Sequence, residues 1–193
     1  MSYTEIYAFG KDGNAYLLGM VKNSWGGAVA VWNKLEKKYL SPWIPDYVKA
    51  TCWYSPGMSY DEIISFLGYT PTRLTSDLLM QEIWDLGQNP NVDMTDRIVL
   101  YTTYDDALVK RENIRKVIDA FAAFDGSTNL QQQASILESA LKDDNIIAVG
   151  WNQTSVCADN WANYGGVDDN DDDIPYNCLT GDRHFWIFDE LEV

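Results

Sequence analysis

Histidine is almost absent from this chain: 193 residues hold one, His184. Any chemistry that needs an imidazole base must run through that position. Cysteine is scarce too. Cys52, Cys157 and Cys178 form no short pairs and are odd in number, which points to reduced thiols and a cytoplasmic setting. No apolar run approaches the ~20 residues of a membrane helix, so no membrane partner is expected. The opening stretch MSYTEIYAFGKDGN lacks a basic region followed by an apolar one, and no secretory signal is expected from it. G-x-S-x-G, P-loop and G-x-G-x-x-G patterns are also missing, which removes the usual signatures of hydrolase acyl transfer and of nucleotide binding.

Positive charge is what the last third lacks. From Gly126 onward, 13 acidic residues face only Lys142 and Arg183, a balance of −11 within a net charge of −15. Residues 1–125 carry 16 acidic and 12 basic residues, a balance of −4. A body this acidic repels phosphate backbones, so direct nucleic-acid binding is not expected. Basic protein surfaces are its natural electrostatic partners, and solubility is the plainer consequence.

Apolar residues and rings are abundant. The hydrophobic share is 46%, with 8 Trp and 12 Tyr, enough for a sizeable core. Glu5 to Phe9 and Ala15 to Val21 read as two strands around the turn-rich GKDGN. Trp25, Ala28, Val29, Trp32, Leu35 and Tyr39 recur at helical spacing, behind an N-cap at Asn23 or Ser24. SPWIPDYVKATCWYSPGMSY, residues 41–60, is a ring-studded connector, and Ser59 to Glu62 reads as a capping box for a short helix ending at Gly68. A helix is predicted from Asp77 to Leu86. RIVLYTT, residues 97–103, reads as a strand with Ala107 to Val109 as its hairpin mate. Helices are predicted along Ile114–Phe124 and from a capping box at Thr128–Gln131 to Lys142. Strands follow at 145–151 and His184–Phe188. Trp25, Trp32, Trp84 and Trp186 are expected in the core. The alternation predicts one α+β domain, a mixed or antiparallel sheet with four to five helices, and an acidic, loop-rich segment at 152–183.

That segment holds the most conspicuous feature, GGVDDNDDDIPYN, residues 165–177. Asp168, Asp169, Asp171, Asp172 and Asp173 fall within six positions. An EF-hand reading fails in both registers. From Asp168 the sixth and twelfth positions are Asp173 and Leu179, and from Asp169 they are Ile174 and Thr180, where Gly and Glu are needed. A looser cation-binding module remains an alternative, and no cofactor is predicted. A solvated loop is the first reading. Contact with a basic protein is the second, with Trp161 and Tyr164 as anchoring rings.

Cys157, Cys178, Asp182 and His184 are zinc-ligand types at no zinc spacing. Cys157 or Cys178 with His184 as base makes a small cytosolic hydrolase the enzymatic alternative. Carboxylates beside tryptophans also suit sugar chemistry, but the sequence shows no pair facing across a cleft.

RIVLYTTYDDALVKRENI, residues 97–114, and VGWNQTSVCADNW, residues 149–161, resemble stretches of small uncharacterised proteins encoded by phages and mobile elements of Gram-positive bacteria. The resemblance carries no catalytic motif and transfers no functional residue. It implies an accessory role in a bacterial host cytosol, by binding a host or phage protein. Inhibition of a nucleic-acid-targeting defence protein through the acidic surface is one form of that role.

Overall fold

A computed structural model describes residues 3–23, 27–40, 76–124, 127–154 and 160–192, with Glu62 and Ser65 between them. Strands β1 (Tyr3–Gly10) and β2 (Ala15–Lys22) form the expected antiparallel hairpin. Gly13 takes a left-handed φ of 84° in its turn and donates its N–H to the Gly10 carbonyl at 2.8 Å. Among the described residues the helices α1 (Ala28–Tyr39), α2 (Ser76–Gln88) and α3 (Met94–Tyr101) follow. Then come β3 (Ala107–Lys110), a single 3-10 turn (Arg111–Asn113), α4 (Ile114–Phe124) and α5 (Thr128–Ala140). Strands β4 (Ile146–Gln153) and β5 (Phe185–Trp186) and helix α6 (Ile187–Leu191) complete the set.

The sheet order is β2-β1-β4-β3-β5, with β3 and β5 parallel and every other pair antiparallel. This mixed sheet with its helices is an α+β fold, as the alternation of elements predicts. No helix among the described residues is long and apolar enough to cross a membrane.

The two faces of the sheet are covered differently. Ile6, Ala8, Val109, Val149 and Trp151 point to the helical side and pack with Leu35, Val99, Val117, Phe121 and Leu137. Tyr7, Phe9, Leu108 and Ala148 point the other way. Their cover is the segment from Trp161 to Cys178, so the stretch read as a loose loop closes a second core. Trp161 is 0% exposed, stands edge-on to Phe9 at 5.5 Å, and donates its Nε1–H to the Trp151 carbonyl at 2.9 Å. Trp151, on the opposite face, donates its own Nε1–H to Gln133 Oε1 at 3.0 Å.

Several elements correct the sequence reading. RIVLYTT lies largely in α3 rather than in a strand. Ile98, Val99, Leu100 and Tyr101 are all buried, so the run is apolar on every side and carries no helical stripe to read. Asp93 at its N-cap and Asp96 in its first turn favour the helix end electrostatically. Thr102 and Thr103 then turn their hydroxyls back onto the Val99 and Leu100 carbonyls at 2.8 and 2.7 Å, ending the helix. The proposed hairpin mate, 107–109, is a strand, but its partners are β4 and β5.

The predicted strand at His184–Phe188 pairs only at Phe185–Trp186 before Ile187 starts α6, with Asp189 and Glu190 in its first turn. The cap of α5 is Ser127 rather than Thr128, its hydroxyl accepting from the Leu130 N–H at 3.2 Å. Helix α1 is capped at Gly27, while Asn23 turns instead to Thr4 and Gln153. The connector at 41–60 and the Ser59–Glu62 capping box lie outside the described residues, apart from Glu62 itself.

Arg97 and Arg111 show how these helices are held in place. Arg97 is buried and donates Nε–H to the Gly87 carbonyl at the end of α2, at 2.6 Å. Arg111 Nη1 and Nη2 reach the carbonyls of Asp143 and Leu141 at 2.6 and 2.8 Å, tying the exit of α5 to the entry of β4. Cationic groups at helix C-termini satisfy carbonyls that have no intrahelical donor.

Candidate functional site

The aspartate run forms a tight, exposed turn. The Gly165 N–H donates to the Ile174 carbonyl and the Ile174 N–H to the Gly166 carbonyl, each at 2.8 Å, and Val167 bridges Asp173. Asp168 Oδ1 accepts the N–H groups of Asn170 and Asp172 at 2.7 and 3.0 Å, which holds its carboxyl below the usual carboxylate range. Asp171 closes the turn in a left-handed conformation, φ 64°. Asp169, Asp171, Asp172 and Asp173 all face solvent with Asp168. Among the described residues, no three His, Cys, Asp or Glu side chains gather as a metal site.

The two rings expected beside this turn face inward. Trp161, expected as a surface anchor, is fully buried, because its indole fills the space under Phe9. Tyr164 is half-buried, edge-on to Trp161 at 5.3 Å, with the Arg183 guanidinium 3.7 Å above its ring.

His184 is engaged by a tyrosine hydroxyl, and Cys178 is a buried free thiol. The Tyr176 hydroxyl hydrogen-bonds His184 Nδ1 at 2.8 Å, with the direction set by the imidazole tautomer, and accepts the Arg183 N–H at 2.9 Å. Burial lowers the His184 pKa, which agrees with a neutral imidazole. Burial raises the Cys178 thiol, which keeps the thiolate scarce. Cys52 and Cys157 lie outside the described residues.

A different place has the geometry of a site. At the end of the sheet where β2 and β4 finish and β3 and β5 begin lies a cavity of about 800 Å³. Among the described residues five rings line it: Trp32, Trp84, Tyr101, Tyr104 and Phe185. Helix α2 supplies Gln81, Trp84, Asp85 and Gln88, spaced i, i+3, i+4, i+7, so one face of the helix turns to the cavity. Ile83 and Leu86 turn the other way into the core.

The turn after α3 supplies Thr103, Tyr104, Asp105 and Asp106 in succession, and β4 ends there with Gln153. Trp84, expected in the core, is 46% exposed on this wall. Trp32 is half-buried in the same wall. Trp186, also expected in the core, is half-buried, and Trp25 lies outside the described residues.

The rings are fixed before anything binds. Trp32 donates Nε1–H to Thr103 Oγ1 at 2.9 Å. Tyr104 donates its hydroxyl to the Trp84 carbonyl at 3.3 Å. It also stands edge-on to Trp84, Tyr101 and Phe185 at 6.3, 5.3 and 6.2 Å. Such tilted pairs hold one another's orientation.

Polar groups converge on the same space. Asp105 Oδ1 accepts the Gln153 N–H at 2.6 Å. Burial nonetheless raises its carboxyl above the usual range, and Asp106 adds to the rise. Burial raises Asp106 as well, against the pull of Arg183. Asp106 Oδ1 is buried and has no hydrogen-bond donor, with Arg183 Nε 3.7 Å away. The Tyr101 hydroxyl is likewise buried and unpartnered, and burial raises its pKa first, the charge of Glu190 second.

Such a cavity, mostly aromatic with a few carboxylates out of their usual titration range, has the makeup of a ligand site. Comparison with protein-family models, with curated proteins and with solved structures finds no match. The cavity is therefore read from its own geometry and chemistry.

Proposed function

We propose that the protein is a binding protein whose ligand occupies the ring-lined cavity between α1, α2 and the turn after α3. The observation that carries this reading is the convergence of Trp32, Trp84 and Tyr104 with Asp105 and Asp106 on one cavity of about 800 Å³. That size falls in the range of small-molecule sites, roughly 300–1,000 Å³. Two of its polar atoms, on Tyr101 and Asp106, await a hydrogen-bond partner.

The test is a fragment screen followed by two-dimensional NMR of the labelled full chain. Bound fragments should move the Trp84 indole N–H and the amides of Thr103 to Asp106, and leave the Trp161 indole still. Trp84→Ala should remove those shifts, and because Trp84 is 46% exposed the fold should survive the change. Shifts confined to other surfaces, or none from any fragment, would reject the reading.

A second reading retains the acidic surface as a contact for a basic protein, as in an accessory protein that binds and blocks a host or phage factor. It is favoured by five solvent-facing carboxylates in a turn, within a stretch, 143–182, that has no Lys or Arg. The parent and a variant with Asp168, Asp169, Asp171, Asp172 and Asp173 changed to asparagine serve as baits in bacterial lysate. A protein held by the parent alone, and released as salt rises to physiological strength, is the expected outcome. Equal retention by both baits would eliminate the contact.

A further inference from the structure

We infer that the ligand of the ring-lined cavity is an organic cation carried on a flat, mostly apolar body. This rests on the reading of the cavity as a binding site and adds the class of ligand.

Among the described residues the charge of the wall is of one sign: Asp85, Asp105 and Asp106 line the cavity, and no described Lys, Arg or His does. Arg183 lies 3.7 Å from Asp106 and over the Tyr164 ring, outside the wall, and offsets part of the Asp106 charge. The faces of tryptophan, tyrosine and phenylalanine rings carry negative potential, so they reinforce the carboxylates. An anion would meet Asp85 and Asp105 as well as Asp106, with Arg183 as the counter-charge to Asp106 alone. A ligand without a donor would leave the Asp106 Oδ1 acceptor without a hydrogen bond. A cation meets ring faces on its body and carboxylates on its head, which are the two chemistries present.

The neighbouring groups fit this division. Trp84 and Asp85 are adjacent on α2, and Tyr104 is followed directly by Asp105 and Asp106, so two of the rings have a carboxylate next to them in the chain. Trp32 and Tyr104 already spend their polar hydrogens on Thr103 and on the Trp84 carbonyl, so they offer carbon faces rather than donors. Gln81 donates its amide N–H to Asp85 Oδ1 at 2.7 Å, which orients that carboxylate on the wall.

Tryptamine, tryptophol and indole-3-acetate share one ring and differ in the charge of the side chain. Each is titrated into the full chain at low salt, followed by the Trp32 and Trp84 indole signals. Tryptamine should bind at least about tenfold more tightly than tryptophol, and indole-3-acetate should not saturate. The preference should shrink as sodium chloride rises.

In the Asp105→Asn, Asp106→Asn double variant tryptamine should fall to the affinity of tryptophol, while tryptophol keeps its own. The asparagine oxygen at position 105 retains an acceptor for the Gln153 N–H. The salt series on the parent protein decides the matter without any variant. Equal affinity for the three probes, or preference for the alcohol or the acid, would overturn the cation and leave the cavity as a site. Absence of binding by all three would overturn both.

Discussion

The acidic turn and the ring-lined cavity both collect carboxylates, and they do so in opposite ways. In the turn, five aspartates are neighbours in the chain and diverge in space. Only Asp168 uses its carboxyl within the turn, to hold the N–H groups of Asn170 and Asp172. In the cavity, Asp85 comes from α2 and Asp105 and Asp106 from the turn after α3, and the fold brings them to one wall with five rings. Carboxylates packed along a chain repel and face water. Asp105 and Asp106, gathered by packing, lose water, and their pKa values rise. Convergence with desolvation, rather than local density, distinguishes a place where chemistry is altered.

The sharpest break between acidic charge and structural weight lies inside the C-terminal segment itself. Trp161 closes the second core, and its replacement by alanine should cost about 3–5 kcal/mol, enough to unfold a marginal domain. The five-fold aspartate-to-asparagine variant, seven or more residues further on, touches only exposed side chains and should stay within about 1 kcal/mol of the parent. Urea denaturation of the two variants against the parent measures the contrast. A neutralised turn as damaging as the loss of Trp161 would mean that the carboxylates, not the indole, hold the segment down.

Much of the frame was legible in the sequence because its signals are local. The hairpin around GKDGN, the stripe of α4 and the apolar run of β4 each declare themselves within a dozen residues. Helix α3 was not legible, since Ile98, Val99, Leu100 and Tyr101 are all buried, and Ile98, Val99 and Tyr101 carry β-branched or aromatic side chains that favour a strand. The cavity left one trace, the spacing of Gln81, Trp84, Asp85 and Gln88 on a face that a core helix would fill with aliphatic residues. That trace gains meaning only beside Trp32 and the 103–106 turn, which the chain places dozens of residues away. Trp161 misled for the complementary reason: a ring amid aspartates suggests a surface anchor, while its contacts are with Phe9 and Trp151, which precede it in the chain.

The smallest effect separates the two regions by sign. Asp168 is held below the usual carboxylate range in the folded chain, so its contribution to stability is present above the unfolded pKa and is lost as pH falls through the folded one. Asp105 and Asp106 are raised by burial, so what they contribute is full below the unfolded pKa and is lost as pH rises through the folded value. At pH 7 the Asp168→Asn variant should melt below the parent. The Asp105→Asn, Asp106→Asn variant should melt above it, by no more than about 1 kcal/mol, since Asp106 is 42% exposed and solvent screens the charge. The difference at Asp105 and Asp106 should close as pH falls from 7 to 3, where the parent carboxylates take up protons, whereas the Asp168 difference should narrow only below the usual carboxylate range. Melting curves across that range read the two signs directly. Displacements in the same direction would show that the cavity carboxylates are as well solvated as those of the turn, and the electrostatic case for a cationic ligand would fall with them.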